Sequence, residues 1–181
     1  MHSSAAVLQH LNAQRDAMAA LVAELVNIES PSTDAASQAP VRDRIAAELR
    51  GLGMRTRDVA ATDVGPHLFA RSLRGRGGPA QLVLGHIDTV WPSGTVDRRP
   101  AAVGPEQITG PGSFDMKAGL VQFVFALRAL AELGLEPPAE VVAFINTDEE
   151  IGSPDSRRWI SRLARCADRA FVLEGAVGLE G

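Results

Sequence analysis

Acidic residues and one histidine stand where apolar runs end, close enough in type and order to act together. "QLVLG" (81–85) runs into His86 and Asp88, "VVAFIN" (141–146) into Asp148, Glu149 and Glu150, and "AFVL" (170–173) into Glu174. Asp115 follows the turn "GPG" (110–112) and precedes a long apolar stretch. Neighbouring carboxylates repel one another, and burying them unpaired is costly, so three adjoining acids at a strand end call for positive charge. One imidazole with several carboxylates is a nitrogen–oxygen donor set, suited to zinc or a similar divalent ion rather than to a soft metal or an iron–sulfur cluster. A carboxylate such as Asp115 can bridge two cations. Asp88, two residues beyond His86, can hold the other ring nitrogen and fix its tautomer.

The elements that must position these groups follow from apolar spacing. Helices are expected over about 5–28, 40–51, 116–134 and 154–166. Strands are expected at "MRTRDVA", "HLFARSLRG", "QLVLGHID", 140–146 and 170–174, the first of them an edge strand. Residues 89–114, broken by Pro and Gly, are expected to form a long loop with one short strand. The alternation argues for an α/β layered fold with a mostly parallel central sheet flanked by helices. "QLVLG", "VVAFI" and "AFVL" are near-continuous apolar runs, as expected of strands covered on both faces. If these strands are parallel, their ends share one edge, which is where open α/β sheets bind ligands. Taken singly, Asp115 reads as a helix N-cap, the three acids as a solvated turn and Glu174 as a strand terminator. Their joint placement at successive strand ends favours a metal site. His2, His10 and His67 read as surface or structural residues.

Composition narrows the classes. The 181 residues carry a formal net charge of −4, with 45% hydrophobic and 22% charged side chains, which fits one soluble domain with a core. No basic footprint for nucleic acid is present. Arg71, Arg74 and Arg76 read as a small solvated basic loop. "AGLVQFVFALRALAELG" contains Gln122, Arg128 and Glu132, too polar for a membrane span. The N-terminal stretch reads as an amphipathic helix rather than a signal peptide. The single Cys166 excludes an internal disulfide and a cysteine-based zinc cluster; it reads as partly buried and fits a reducing, cytoplasmic setting. No P-loop and no G-x-G-x-x-G follows a strand, and no G-x-S-x-G elbow occurs, which disfavours a nucleotide-binding domain and a serine hydrolase.

"GHIDTVWPSGT", "GPGSFDMKAGL" and "NTDEEIGS", in this order and spacing, resemble the co-catalytic zinc peptidases of the glutamate carboxypeptidase, acetylornithine deacetylase and succinyl-diaminopimelate desuccinylase type. The likeness covers about residues 5–176 and leans toward the glutamate carboxypeptidase branch. It implies one or two Zn2+ ions, with Co2+ or Mn2+ as substitutes. It implies that His86, Asp115 and Glu174 hold one ion and that Asp115 and Glu150 reach the second. Asp88 becomes the partner of His86, and Glu149 the general base. A cis peptide between Asp115 and Met116 is also implied. The chemistry would be hydrolysis of an amide bond in a peptide or N-acyl amino acid that carries a free carboxylate.

The same resemblance sets an expectation about extent. Residues 1–181 correspond to the N-terminal portion of a metallopeptidase catalytic domain, without the lid and dimerisation domain or the returning catalytic segment. That segment supplies a further histidine ligand in the family, and no histidine follows His86 here. The full-length form is expected to be a homodimer. The alternative is a non-catalytic metal-binding remnant that kept the first site and lost turnover.

Overall fold

The computed structural model describes residues 4–72, 79–137 and 139–176. Arg74 and Arg76 lie outside those residues, while Arg71 belongs to a strand and pairs with Glu140 rather than to a solvated loop. The chain opens with α1 (Ser4–Ala13) and α2 (Arg15–Val26), expected as one helix. They part at Gln14, whose amide reaches the Leu11 carbonyl at 3.0 Å, one residue short of the α-helical partner. Next come α3 (Ala39–Gly51), β1 (Arg55–Val59), β2 (His67–Arg71) and β3 (Ala80–His86). The stretch expected as a loop with one strand holds the short α4 (Thr95–Arg98) and a hairpin of β4 (Ala102–Val103) and β5 (Ile108–Thr109). Then follow α5 (Ala118–Glu132), β6 (Glu140–Asn146), α6 (Arg157–Ala164) and β7 (Arg169–Val172).

Five strands form the central sheet in the order β1-β2-β6-β3-β7. β3 pairs parallel with both β6 and β7, whereas β2 runs antiparallel between β1 and β6. Four strands therefore share one direction and β2 alone opposes them. Side chains alternate across this sheet with the period of two that strands impose. Val83, Val141, Ala143 and Ile145 face the main core, built with Leu21, Leu25 and Val26 of α2, Ile45 and Leu49 of α3, and Leu120, Val121 and Val124 of α5. Leu82 and Phe144 face the other way, against Trp159, Ile160 and Leu163 of α6. The sheet is thus sandwiched between helical layers. β7 at its edge is exposed along its length, and Cys166, just past α6, is exposed rather than partly buried.

Register brings the functional ends level. His86 pairs with Asn146, and Leu84 pairs with Val172, so two residues further along each strand His86 stands level with Glu174. Parallel pairing is what delivers these ends to one edge.

Candidate metal centre

His86 is fully buried at the last position of β3. Its Nδ1 lies 3.0 Å from the Asp88 backbone carbonyl and 3.3 Å from Asp88 Oδ1. Both partners are acceptors, so Nδ1 carries a proton and Nε2 is the ring atom turned toward the acids. Nε2 faces three carboxylates: Asp115 Oδ1 at 3.0 Å, Glu174 Oε1 at 3.2 Å and Glu149 Oε2 at 3.9 Å. One donor atom each from His86, Asp115 and Glu150 also lie within 4.8 Å of one another. The structure thus gathers His86, Asp88, Asp115, Glu149, Glu150 and Glu174 at a single strand-end site.

Each acid reaches the site by a different local device. Asp115 is not a helix N-cap; it lies in a wide turn, Ser113–Lys117, ahead of α5, and its peptide to Met116 is cis. Gly112 begins that turn at φ +69, and a Cβ there would stand 2.6 Å from Thr89 Cγ2, so the position needs glycine twice over. Lys117, buried within the turn, donates from Nζ to the Leu25 and Ile28 carbonyls at 3.0 and 2.8 Å, tying the turn to the end of α2. Burial pushes this lysine down to about 8. Glu174 follows β7, whose ladder is continued by Leu173 N donating to the Leu84 carbonyl at 3.0 Å.

The three adjoining acids divide their work. Asp148 turns away from the cluster, and its wholly buried carboxylate accepts from Asp155 N at 2.8 Å, Ser156 N at 3.0 Å and Asn146 Nδ2 at 3.2 Å. Burial works against its charge, but these donors prevail and hold its carboxyl below the ordinary value. Glu149 and Glu150 stay with the site, because their backbone N–H groups donate to Asp88 Oδ1 and Oδ2 at 3.2 Å each. Asp88 thus supports the turn that bears both glutamates as well as His86.

Electrostatics show which charges the cluster sets against one another. Burial opposes a charge on His86, yet Asp88 on one side and Glu174 and Glu149 on the other push its imidazole up to about 9. Burial, with repulsion from Asp115 next, raises Glu150 above its ordinary value. Glu174 is raised too, by burial and then by Asp115 and Glu149, which together outweigh His86. A divalent cation held by His86, Asp115 and the neighbouring glutamates would relieve all of these at once, taking the place of the proton at Nε2 and offsetting the crowded negative charge. The donor set fits such an ion.

Sequence reasoning missed two contributors. Ser32, in the segment between the first two expected helices, donates from Oγ to Asp88 Oδ2 at 2.7 Å. Gln38, in the same segment, donates from Nε2 to the Pro31 and Thr147 carbonyls at 3.2 and 2.9 Å. His67, expected as a surface or structural residue, is fully buried, its Nε2 3.1 Å from Asp155 Oδ1 and its Nδ1 2.9 Å from Thr147 Oγ1, a structural role behind the acidic turn.

The family model described as "Peptidase family M20/M25/M40" matches residues 82–179, from β3 past Glu174. The chain belongs to this family. Among curated relatives, carboxypeptidase G2 of Pseudomonas sp. (strain RS-16) is 35% identical over 152 residues, covering 83% of this chain and 37% of that protein. Succinyl-diaminopimelate desuccinylase of Gluconacetobacter diazotrophicus is 33% identical over 146 residues, covering 72% and 36%. The chain thus spans little more than a third of the length of these family members. Among solved structures, human carnosine dipeptidase 1 aligns with a TM-score of 0.78 at 20% identity, over 92% of this chain and 40% of that one. An M20 family metallo-carboxypeptidase from Sulfolobus solfataricus aligns at 0.72 and 18% identity, over 88% and 38%. These two likenesses establish the peptidase-family fold. Among the described residues, no helix is long and apolar enough to cross a membrane.

Proposed function

We propose that this chain carries the metal-binding half of a zinc-dependent hydrolase of amide bonds in peptides or N-acyl amino acids that bear a free carboxylate. The observation that supports it most is the convergence of Asp115, Glu174 and Glu149 on His86 Nε2 while Asp88 occupies Nδ1. His86, Asp115 and Glu174 are assigned to one cation, and Asp115 with Glu150 to a second. The relatives named as a carboxypeptidase and a succinyl-diaminopimelate desuccinylase support this bond class. We assign this segment to the N-terminal portion of a catalytic domain whose remaining residues complete the second position. A homodimer and a cytoplasmic setting belong to the same reading, the latter in keeping with the free, exposed thiol of Cys166.

A cation bound here supplies Lewis-acid polarisation of the substrate carbonyl and acidifies water at neutral pH. Asp88 keeps the proton on Nδ1, so that Nε2 remains the ligand atom. Glu149, half-exposed and 3.9 Å from Nε2, is the one acid beside the site left free of a ligand role. Its carboxylate takes the proton of a water adding to the carbonyl carbon, then delivers it to the leaving amine nitrogen as the C–N bond breaks. The position of Asp115 and Glu174 against His86 sets where that carbonyl must come.

Replacing Glu149 with Gln in the full-length protein tests this directly. Hydrolysis of an N-acyl glutamate falls by roughly 100- to 10,000-fold while bound zinc is retained. Zinc binding without turnover in either form would instead support the non-catalytic remnant. Absence of zinc from the folded parent would remove the reading altogether.

A further inference from the structure

We propose that Ser32 is a positioning residue for the metal centre, fixing Asp88 and through it His86 and the Glu149–Glu150 turn. The assignment rests on the metal-centre reading above. Among the described residues Asp88 has four donors within reach: His86 Nδ1 at 3.3 Å, the backbone N–H groups of Glu149 and Glu150 at 3.2 Å each, and Ser32 Oγ at 2.7 Å. Three of these belong to the groups that Asp88 has to place. Ser32 is the only one that holds the carboxylate from outside, and it makes the shortest bond. A carboxylate turns broadly about its terminal torsion, so three longer contacts to parts of the site leave its angle loosely set. A charge-assisted hydroxyl bond to Oδ2 fixes that angle and aims Oδ1 at His86.

Ser32 can act as an anchor because its own segment is bolted down. Its N–H donates to the Thr89 carbonyl at 3.1 Å, and Thr89 N donates to the Ser30 carbonyl at 2.9 Å, with Pro31 bridging parallel to Thr89. Ser30 Oγ donates to the Ile87 carbonyl at 2.6 Å. Behind them, Gln38 Nε2 donates to the Pro31 and Thr147 carbonyls at 3.2 and 2.9 Å. The two serines of "SPS" therefore differ in task. Ser30 spends its single hydroxyl proton on backbone. Ser32 also lies near a carbonyl, Thr89 O at 3.3 Å, but the carboxylate at 2.7 Å is the nearer acceptor and takes its proton.

The contrast between these serines provides the test. Cobalt is titrated into the metal-free full-length protein, and both affinity and visible absorption spectrum are recorded for the parent, Ser32→Ala and Ser30→Ala. Ser32→Ala is expected to bind cobalt roughly 10- to 100-fold more weakly, with an altered spectrum, as outer partners of metal ligands do when removed. Ser30→Ala, which removes one of the several bonds of that segment and leaves the Ser32–Asp88 bond in place, is expected to change affinity and spectrum far less. Parent-like affinity and spectrum in Ser32→Ala, or the same change in both variants, would overturn the assignment while leaving the metal centre standing. A folded parent that takes up no cobalt would overturn the metal-centre reading and this assignment with it. Should Ser32→Ala not fold, Ser32→Cys keeps the shape with a weaker donor, and the same loss of affinity is read by zinc competition.

Discussion

Gly119 lies in the first turn of α5, where the helix backbone meets the end of β7. A Cβ at this position would overlap the Leu173 carbonyl oxygen and stand 3.1 Å from its carbon and 3.2 Å from Leu173 Cβ. Carbon atoms settle at about 3.5–4.0 Å, and the overlapped oxygen must retreat further, so Gly119→Ala requires a shift of roughly 1 Å. Leu173 is held from the other side by its bond to the Leu84 carbonyl and by packing against the main core. The displacement therefore passes on to Glu174, whose Oε1 is 3.2 Å from His86 Nε2. Metal–ligand distances tolerate only about 0.2 Å. Zinc affinity should fall by at least roughly 10- to 100-fold, about 1.4–2.7 kcal/mol. Overpacking costs about 1–3 kcal/mol, and an alanine in a helix returns up to about 1 kcal/mol, so the fold survives. The assay is zinc competition against a chromophoric chelator, with the thermal midpoint recorded alongside. The substitution is made both in the parent and in Glu174→Gln, where Gly119→Ala should cost little more. Parent affinity in Gly119→Ala, or equal losses in both backgrounds, would refute the reasoning.

Because His86 is held at about 9, well above its ordinary 6.5, zinc uptake at pH 7 should release about one proton from it. Calorimetry in buffers of different ionisation enthalpy reads this, and zero release would contradict it. Lys117→Met should cost about 1–3 kcal/mol by leaving the Leu25 and Ile28 carbonyls without their donor. The folded-state value of Lys117 is depressed from 10.5 to about 8, so the unfolded chain holds the proton more tightly. The parent should therefore gain stability on Lys117→Met as pH rises from about 8 to 10.5, in denaturant titrations at several pH values. Asp148→Ala removes three donors' common acceptor and should lower stability by about 3 kcal/mol at neutral pH. The carboxyl is held below 3.8, so the parent keeps this advantage above that pH and loses it as pH falls further.

The strand ends were legible because each apolar run stops at a donor and because parallel strands carry such stops to one edge. Register does the rest: His86 pairs with Asn146 and Leu84 with Val172, so Glu174, two residues past the shorter β7, stands level with His86. The direction of β2 was not legible, since a period-two pattern reads alike both ways. The break at Gln14 was hidden because apolar spacing continues across it. Asp115 looked like an N-cap because a wide turn and a helix start place an acid similarly in sequence. Asp148 could not be told from Glu149 and Glu150 by type, and only the donors at Asp155 and Ser156 separate it from the site. Ser32 was silent for a different reason. Its partner stands 56 residues away, and nothing local distinguishes its hydroxyl from that of Ser30. Gly119 within "MKAGL" reads as a weak helix position until Leu173 is seen against it.

Anomalous diffraction at the zinc edge, from crystals of the protein grown with zinc, tests the central claim most directly. The predicted result is a peak about 2.0–2.2 Å from His86 Nε2 and from carboxylate oxygens of Asp115 and Glu174. A peak elsewhere, or none beside a well-ordered His86, would contradict a metal centre at these strand ends.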